Sequence, residues 1–262
     1  MLINVVGLGV MGTQVAALLS TLGFRVAAWN RRLDADKRDH CVRAQRLLAR
    51  KFSPVDGGTI EFVDDIVRLA PAPTIETLIE DLAIKRKVLQ SLPYDPSLNG
   101  LYTNTSSYRP EEVSEIAGAL HFFNPVHAFA LIEHVPPPVP TDAQKALIKS
   151  LSANGFDVVE THGNRGFVGN YLLFHEIAMA LKLVDKYGYS PETIDRIMQP
   201  LGRAGGILSV VDLVGVDVTK AILQNLHAED PTVYISPLLD RALARGILGR
   251  KNRTKFVNVL HG

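Results

Sequence analysis

A short apolar run, Leu2 to Val6, passes directly into Gly7-Leu8-Gly9-Val10-Met11-Gly12 and then into the helix-like TQVAALLSTLG. No other stretch restricts the fold of this chain as much. A continuous apolar run of that length suits a strand buried on both faces of a parallel sheet. The GxGxxG spacing has a physical reason. Gly7 allows the tight turn, Gly9 lets a pyrophosphate approach the backbone, and Gly12 lets the helix pack on the strand, with the phosphates at the helix N-terminus. Glycines alone are a weak signal, but a strand before, a helix after and a second strand at Arg25 to Trp29 make a dinucleotide-binding unit. The expected class is α/β, a Rossmann-type, doubly wound, mostly parallel sheet, with Gly7, Gly9, Val10, Met11 and Gly12 as candidate cofactor contacts.

The end of the second strand selects the ribose. A site that prefers NAD places Asp or Glu there, about twenty residues on from the glycines, to bind the 2′-hydroxyl. Here the sequence reads Trp29-Asn30-Arg31-Arg32. Arginine forks bind phosphate in bidentate fashion, so a 2′-phosphate is the expected ligand of Asn30, Arg31 and Arg32, and NADP the expected cofactor. NAD stays open through the other reading of this corner, a solvated basic turn with Asp34 or Asp36 reaching back to the ribose.

The chain of 262 residues is long enough for one large domain or two of ordinary size. Its formal net charge of +1 gives no sign of a general nucleic-acid or membrane-surface binder. Cys41 is the single cysteine, which excludes an internal disulfide and any thiolate metal site made by this chain alone, so no metal is expected. One cysteine also fits a reducing, cytoplasmic location. Residues 1 to 24 carry no charge and could pass for a signal peptide, but they lack a basic opening and four glycines interrupt them. The apolar stretch from Tyr171 to Val184 contains His175, Glu176 and Lys182, as a helix packed in protein would.

Leu33 to Lys51 reads as a basic amphipathic helix carrying Arg38, Arg43, Arg46, Arg50 and Lys51, a solvated face or a surface for a phosphate-bearing carrier. Strands are expected at Thr59 to Val63, Thr74 to Leu78 and Leu101 to Thr105, with an acid-led helix opening at Glu80. The strand at Leu101 delivers Ser106 and Ser107 to a turn beyond its carboxyl end, where ligands of doubly wound sheets collect. Thr141 with Gln144 forms a capping box, and Phe156 to Glu160 reads as the last strand. From Gly166 onward the pattern is helical, so the expected domains are 1–164 and 165–262.

Leu120 to Val135, LHFFNPVHAFALIEHV, holds two ionisable groups in apolar surroundings, His121 and, in LIEHV, Glu133. An unpaired imidazole or carboxylate loses several kcal/mol of hydration on burial, on the order of 2–7 kcal/mol even for a neutral polar group. If the intervening chain folds back, Glu133 can hold one ring nitrogen and leave the other to exchange a proton near neutral pH. A core histidine with a structural hydrogen bond satisfies the same spacing.

Taken together, VVGLGVMGTQVA, IETLIEDLAIKRKV, TNTSS, LHFFNPV, LIEHV, GFVGN, SPETIDRIM, VDLVGVD and PLLDRALARGILGRK resemble the 3-hydroxyacyl-CoA dehydrogenase family, nearly end to end. The resemblance implies a Rossmann domain, a helical C-terminal domain that dimerises, and a catalytic His–Glu pair at their junction. By the family pattern His121 is the acid/base and Glu133 orients it, while Ser106 and Asn170 contact the substrate oxygen. Asn104 belongs to a cofactor-contacting motif, Asn124 helps hold His121 and the nicotinamide side, and Glu80, Lys85 and Lys251 contact the cofactor. The implied reaction is hydride transfer between the nicotinamide and C3 of a short 3-hydroxyacyl or 3-oxoacyl thioester. The chain departs from the family in a shorter segment after the second strand, in Arg203-Ala204-Gly205-Gly206-Ile207-Leu208, and in Asn252-Arg253-Thr254-Lys255. Those changes leave CoA and an acyl-carrier protein open as the thioester carrier, with no nucleic acid or membrane as partner. Two other readings compete: a β-hydroxyacid dehydrogenase or imine reductase, which shares an opening like GLGVMG, and a non-catalytic NADP-binding protein.

Overall fold

The structure is a computed structural model that describes residues 1–260. The chain divides into two compact units, Met1–Phe167 and a second that starts at Val168. The first unit thus runs three residues past the break expected after 164, because Asn164 and Arg165 bond back within it, to Phe167 and Glu112 respectively.

An eight-stranded sheet carries the first unit, in the order β3-β2-β1-β4-β5-β6-β7-β8. The strands are β1 (Leu2–Val6), β2 (Arg25–Trp29), β3 (Thr59–Val63), β4 (Thr74–Glu76), β5 (Leu101–Thr103), β6 (Gly118–Phe122), β7 (Leu131–Val135) and β8 (Asp157–Glu160). All neighbours run parallel except β6 and β7. That exception follows from sequence distance, since only a short connection joins the two strands, and parallel strands need a crossover of about a dozen residues or more. The helices of this unit are α1 (Val10–Thr21), α2 (Ala35–Leu48), α3 (Leu82–Gln90), α4 (Pro96–Asn99), α5 (Pro110–Val113) and α6 (Asp142–Ala153). Core side chains such as Ile3, Val5, Val15, Leu18, Leu19 and Ile75 are fully enclosed where α1 covers the sheet.

Side-chain caps set where the helices begin. Asp34 accepts from the Lys37 amide at the head of α2, Asp81 from the Ile84 amide at α3, and Thr141 with Gln144 closes a reciprocal box at α6. The Asp34 cap explains why α2 starts at Ala35 rather than at Leu33. β4 and β5 are each shorter than the sequence pattern suggests, for a polar reason. Glu76 turns its carboxylate back to accept from the Leu78 amide, and the Thr103 hydroxyl accepts from the Thr105 amide. Both strands therefore end early and give way to loops at their carboxyl ends.

The second unit is helical: α7 (Phe167–Tyr187, whose first residue belongs to the first unit), α8 (Pro191–Met198), α9 (Ser209–Val214), α10 (Val216–Glu229) and α11 (Pro237–Ala244). Phe174, Ile177, Leu181, Val211, Leu223 and Leu239 are among the residues of its core. By length and composition α7 is the one helix among the described residues that could cross a membrane. It carries His175, Glu176 and Lys182 and packs Phe174, Ile177 and Leu181 into the second unit's core.

Candidate active site

The order of strands reverses between β1 and β4, and ligands of open parallel sheets bind beyond the carboxyl ends at such a switch point. A cavity of about 520 Å³ lies there, its walls including Gly7, Gly9, Arg31, Leu78, Glu80 and Ser106. The three motif glycines have separable jobs. Gly7 sits at φ 105°, in the left-handed half of backbone space, and so makes the turn. A Cβ on Gly12 would lie 1.9 Å from the Gly7 carbonyl oxygen, so Gly12 is required by the fold itself. A Cβ on Gly9 would meet no protein atom within 4 Å. The fold does not need glycine at Gly9, yet Gly9 is the N-cap of α1, offers no side-chain cap and borders the cavity. Open space in front of uncapped helix amides fits a dinucleotide pyrophosphate.

At the far corner, the Asn30 side chain is turned inward. Its Oδ1 accepts from the Leu8 amide at 2.9 Å and its Nδ2 donates to the Arg32 carbonyl at 2.7 Å. Asn30 thereby braces the glycine turn against the end of β2. Arg31 and Arg32 are exposed on the cavity wall, and neither makes an ion pair among the described residues. Asp34 is committed to Lys37, accepting from its backbone at 3.0 Å and from its ammonium at 2.8 Å, contacts that hold the carboxyl below the ordinary aspartate range.

Beyond β4 and β5 lies an ionic cluster built on the buried Lys85–Glu76 pair, whereas the family resemblance implies cofactor contacts for Glu80 and Lys85 alike. Lys85 is 1% exposed, and its ammonium reaches Glu76 at 2.8 Å, the Leu78 carbonyl at 3.3 Å and Glu80 at 3.3 Å. Lys85 does not line the cavity; it stands behind the wall and anchors the two acids. Glu80 does line it and holds the turn after β5, accepting from the Thr105 hydroxyl at 2.9 Å and from the Ser106 amide. No local sequence signal sets Lys85 apart, since it falls in an ordinary amphipathic helix pattern and only the fold brings it to Glu76. Asn104 lines the cavity too, and its Oδ1 accepts from the Phe122 amide at 3.1 Å, which locks the end of β5 to β6.

His121 and Glu133 are direct partners across the antiparallel β6–β7 pair. The His121 Nδ1 lies 2.7 Å from the Glu133 Oε2, with the two residues 2% and 4% exposed. Register alone therefore fixes the contact, and burial keeps water from competing for it. Two rings pack against the imidazole: Phe167, stacked at 4.5 Å and 15°, and Phe123, tilted at 5.0 Å. Phe167 escaped the sequence reading, as nothing in GFVGN marks its φ of 52°, a conformation that takes about 1–2 kcal/mol from a residue with a Cβ. Asn124, expected beside His121, instead accepts from Gln14 at 3.0 Å, and Gln14 in turn accepts from the Val126 amide. It is exposed and latches the turn after β6 to α1. Asn170 lies in the first turn of α7, and Lys251 pairs with Asp217 at 2.8 Å; both belong to the second unit. Among the described residues no group of three or more His, Cys, Asp or Glu is placed to hold a metal.

A sheet of order 3-2-1-4-5-6, a glycine turn bordering a cavity at its switch point and a buried His–Glu pair that begins two strands from β4 define a nucleotide-dependent dehydrogenase class of fold. Comparison with known proteins gives the family. Residues 2–154 match the 3-hydroxyacyl-CoA dehydrogenase NAD binding domain, and residues 166–259 match the 3-hydroxyacyl-CoA dehydrogenase C-terminal domain. The chain belongs to the 3-hydroxyacyl-CoA dehydrogenase family. It is 28% identical to a probable 3-hydroxyacyl-CoA dehydrogenase of Caenorhabditis elegans, over 97% of this chain and 94% of the relative. The crystal structure of FadB2 from M. tuberculosis superposes with a TM-score of 0.83 at 28% identity, covering 97% of each chain. That of (S)-3-hydroxybutyryl-CoA dehydrogenase from Ralstonia eutropha does so with a TM-score of 0.80 at 25% identity, again over 97% of each. Matches to both halves in order set aside the β-hydroxyacid dehydrogenase and imine reductase reading.

Proposed function

We propose that this chain interconverts a short 3-hydroxyacyl thioester and its 3-oxoacyl form, with His121 as the acid/base and NADP as the preferred cofactor. The observation that carries the reading is the buried 2.7 Å contact between His121 and Glu133, locked by strand register beside the strands that line the crevice. When bound, the nicotinamide supplies the hydride acceptor for oxidation or the donor for reduction. With Nδ1 held by Glu133, the His121 Nε2 takes the substrate's hydroxyl proton in one direction and returns it to the carbonyl oxygen in the other. Glu133 stabilises the imidazolium while the proton resides there and keeps the ring in one tautomer, the role a buried carboxylate plays beside other catalytic histidines. Ser106, on the crevice wall with its amide held by Glu80, is assigned the substrate oxygen.

The NADP preference rests on Arg31 and Arg32 facing the crevice in place of a strand-end acid, and on Asp34 being tied to the α2 cap. CoA is the proposed thioester carrier, following the names of the relatives, and an acyl-carrier protein is the variant to include in the test. Homodimerisation through the C-terminal helices is proposed from the exposed side chains Val168, Leu172, Met179, Leu183 and Tyr187 along α7. Their spacing of four and seven residues puts them on one helical face. A Leu172→Glu, Met179→Glu double variant that sediments like the parent chain would remove that part.

One experiment addresses the activity. Oxidation of NADPH and NADH is followed with acetoacetyl thioesters of CoA and of a carrier protein, using the parent chain and His121→Gln. Turnover that needs His121 and runs faster with NADPH supports the whole reading. Equal turnover by the His121→Gln variant removes the acid/base pair, and a preference for NADH removes the cofactor assignment alone.

A further inference from the structure

Catalysis by an imidazole depends on where its second nitrogen points, and one hydrogen bond does not fix that. A ring held only at Nδ1 keeps freedom to swing and tilt about the contact, whereas acid/base work needs the geometry held to within roughly 10–20°. The Glu133 carboxylate supplies the anchor for His121. Phe123 adds a tilted contact, and the flat one comes from the segment that closes the first unit.

Phe167 lies flat on the imidazole, centroid to centroid 4.5 Å with the planes 15° apart, and has no exposed surface. It holds that place at φ 52°, in the left-handed region that side chains avoid. A filler of the core would not require this conformation, since an apolar side chain can be supplied from relaxed backbone. Strain of this kind persists where surrounding contacts over-determine it and gathers at functional sites. The surrounding contacts are present. Gly166 makes the preceding turn at φ 78°. The Asn164 Nδ2 donates to the carbonyls of Arg165 and Phe167, both at 3.2 Å, and the Phe167 amide donates back to the Asn164 carbonyl at 3.2 Å. Arg165 then fastens the strap to α5 through a two-pronged ion pair with Glu112, whose other bond, at 2.9 Å, caps that helix at the Arg109 amide. The Arg165 guanidinium also stands over the Tyr108 ring at 5.9 Å.

We infer that Phe167 is a positioning residue for the acid/base histidine, and that Asn164 and Arg165 form the strap that presses its ring against His121. The inference rests on the reading of His121 as the acid/base. Phe167 touches neither proton nor hydride in this scheme; it removes the tilt that the Glu133 contact leaves free, and it keeps water from that face of the ring.

The test uses the full chain with Phe167→Leu, which keeps apolar bulk and loses the flat ring, and Asn164→Ala, which keeps the ring and loosens the strap. Three readouts are compared: kcat against KM, the downfield proton resonance of the Glu133-bound Nδ1–H of His121, and the melting temperature. Phe167→Leu is expected to lower kcat by about 10- to 100-fold, the penalty of a misplaced catalytic group, with the cofactor KM nearly unchanged. Asn164→Ala should do the same more weakly. In both, the Nδ1–H resonance should broaden or vanish through exchange with water. A folded variant with parent kcat and an intact resonance overturns the inference, even if it melts earlier, because a purely structural role predicts that pattern. Should Phe167→Leu fail to fold, Asn164→Ala decides on the same criteria. The resonance is read without substrate, so a His121→Gln variant that still turns over would sink the acid/base reading and leave the stack separately measurable.

Discussion

The two ends of the site in the first unit are built on opposite principles. At the β2 corner, Arg31 and Arg32 stand exposed on flexible side chains with no ion pair among the described residues. At the β6 end, His121 and Glu133 are 2% and 4% exposed, paired by strand register and covered by Phe167. On the proposed reading the corner selects between cofactors, and each exposed cation there works through water, where a single ion pair is worth little. On the proposed reading the pair at β6 acts on one atom from one direction, which fits a geometry held by register, burial and stacking. Selectivity tolerates movement that proton transfer does not.

That contrast is broken most directly at its rigid end. His121→Gln keeps a hydrogen-bonding group but no proton relay, and kcat should fall by about two to four powers of ten. Its cofactor affinity, measured by fluorescence of bound NADPH, should remain that of the parent. Glu133→Gln comes next. The amide oxygen can still accept from the ring, but no negative charge stabilises the imidazolium, so kcat should fall by roughly 10- to 1000-fold with the substrate KM little changed. A Glu133→Gln variant with parent activity would mean that the carboxylate serves only the fold.

The soft end is sharpened by two smaller effects. Replacing both Arg31 and Arg32 by alanine should weaken NADPH binding by about 10- to 100-fold, as expected for the loss of charge-assisted bonds to a phosphate, and leave NADH binding unchanged. Equal losses for both cofactors would assign those arginines to the shared pyrophosphate. Gly9→Ala is the companion experiment. Its Cβ would meet no protein atom within 4 Å, so the melting temperature should hold while cofactor affinity drops. Gly12→Ala should do the reverse and cost the fold first, because its Cβ would sit 1.9 Å from the Gly7 carbonyl oxygen.

The same contrast accounts for what could be read from the chain alone. The glycine turn and the capping box are local, so residue type and spacing disclose them. The His–Glu partnership instead follows from the resemblance of LHFFNPV and LIEHV to a family pattern, since the same spacing also fits a core histidine. Thr141 with Gln144 closes its box as its spacing requires. What stayed hidden depends on contacts between distant segments. Lys85 sits in an ordinary amphipathic pattern, and only the approach of α3 to β4 turns it into the buried partner of Glu76. Asn124 belongs to the motif around His121, yet its exposed amide finds Gln14 of α1, 110 positions away in sequence. Phe167 is one phenylalanine among ten, and its left-handed backbone leaves no trace in its type. Motif position identifies the histidine and its acid; the supporting shell needs coordinates.

A second histidine gives the finest comparison, because it sits next to Glu133 in sequence and faces the other side of the sheet. His134 is 8% exposed and bonds the Tyr102 hydroxyl at 3.1 Å, a neutral partner where His121 has a carboxylate. Burial pushes the His134 pKa below 6.5, and Glu160 offsets this only in part. The folded protein therefore holds His134 neutral at pH values where the unfolded chain would protonate it. Between the two pKa values the unfolded state binds the extra proton, so this histidine's contribution to stability is complete above about 6.5 and is lost as pH falls through the lower, folded value. The expected effect is a melting temperature that declines below pH ~6.5 with at most a one-proton slope, and a His134→Gln variant in which that part of the decline is gone. Its activity at neutral pH should match the parent's, since the ring faces away from Glu133 across the sheet. If His134→Gln leaves the acid side of the melting curve untouched, the proton taken up on unfolding belongs to another group, and the neutral bond to Tyr102 is no guide to which imidazole the fold keeps uncharged.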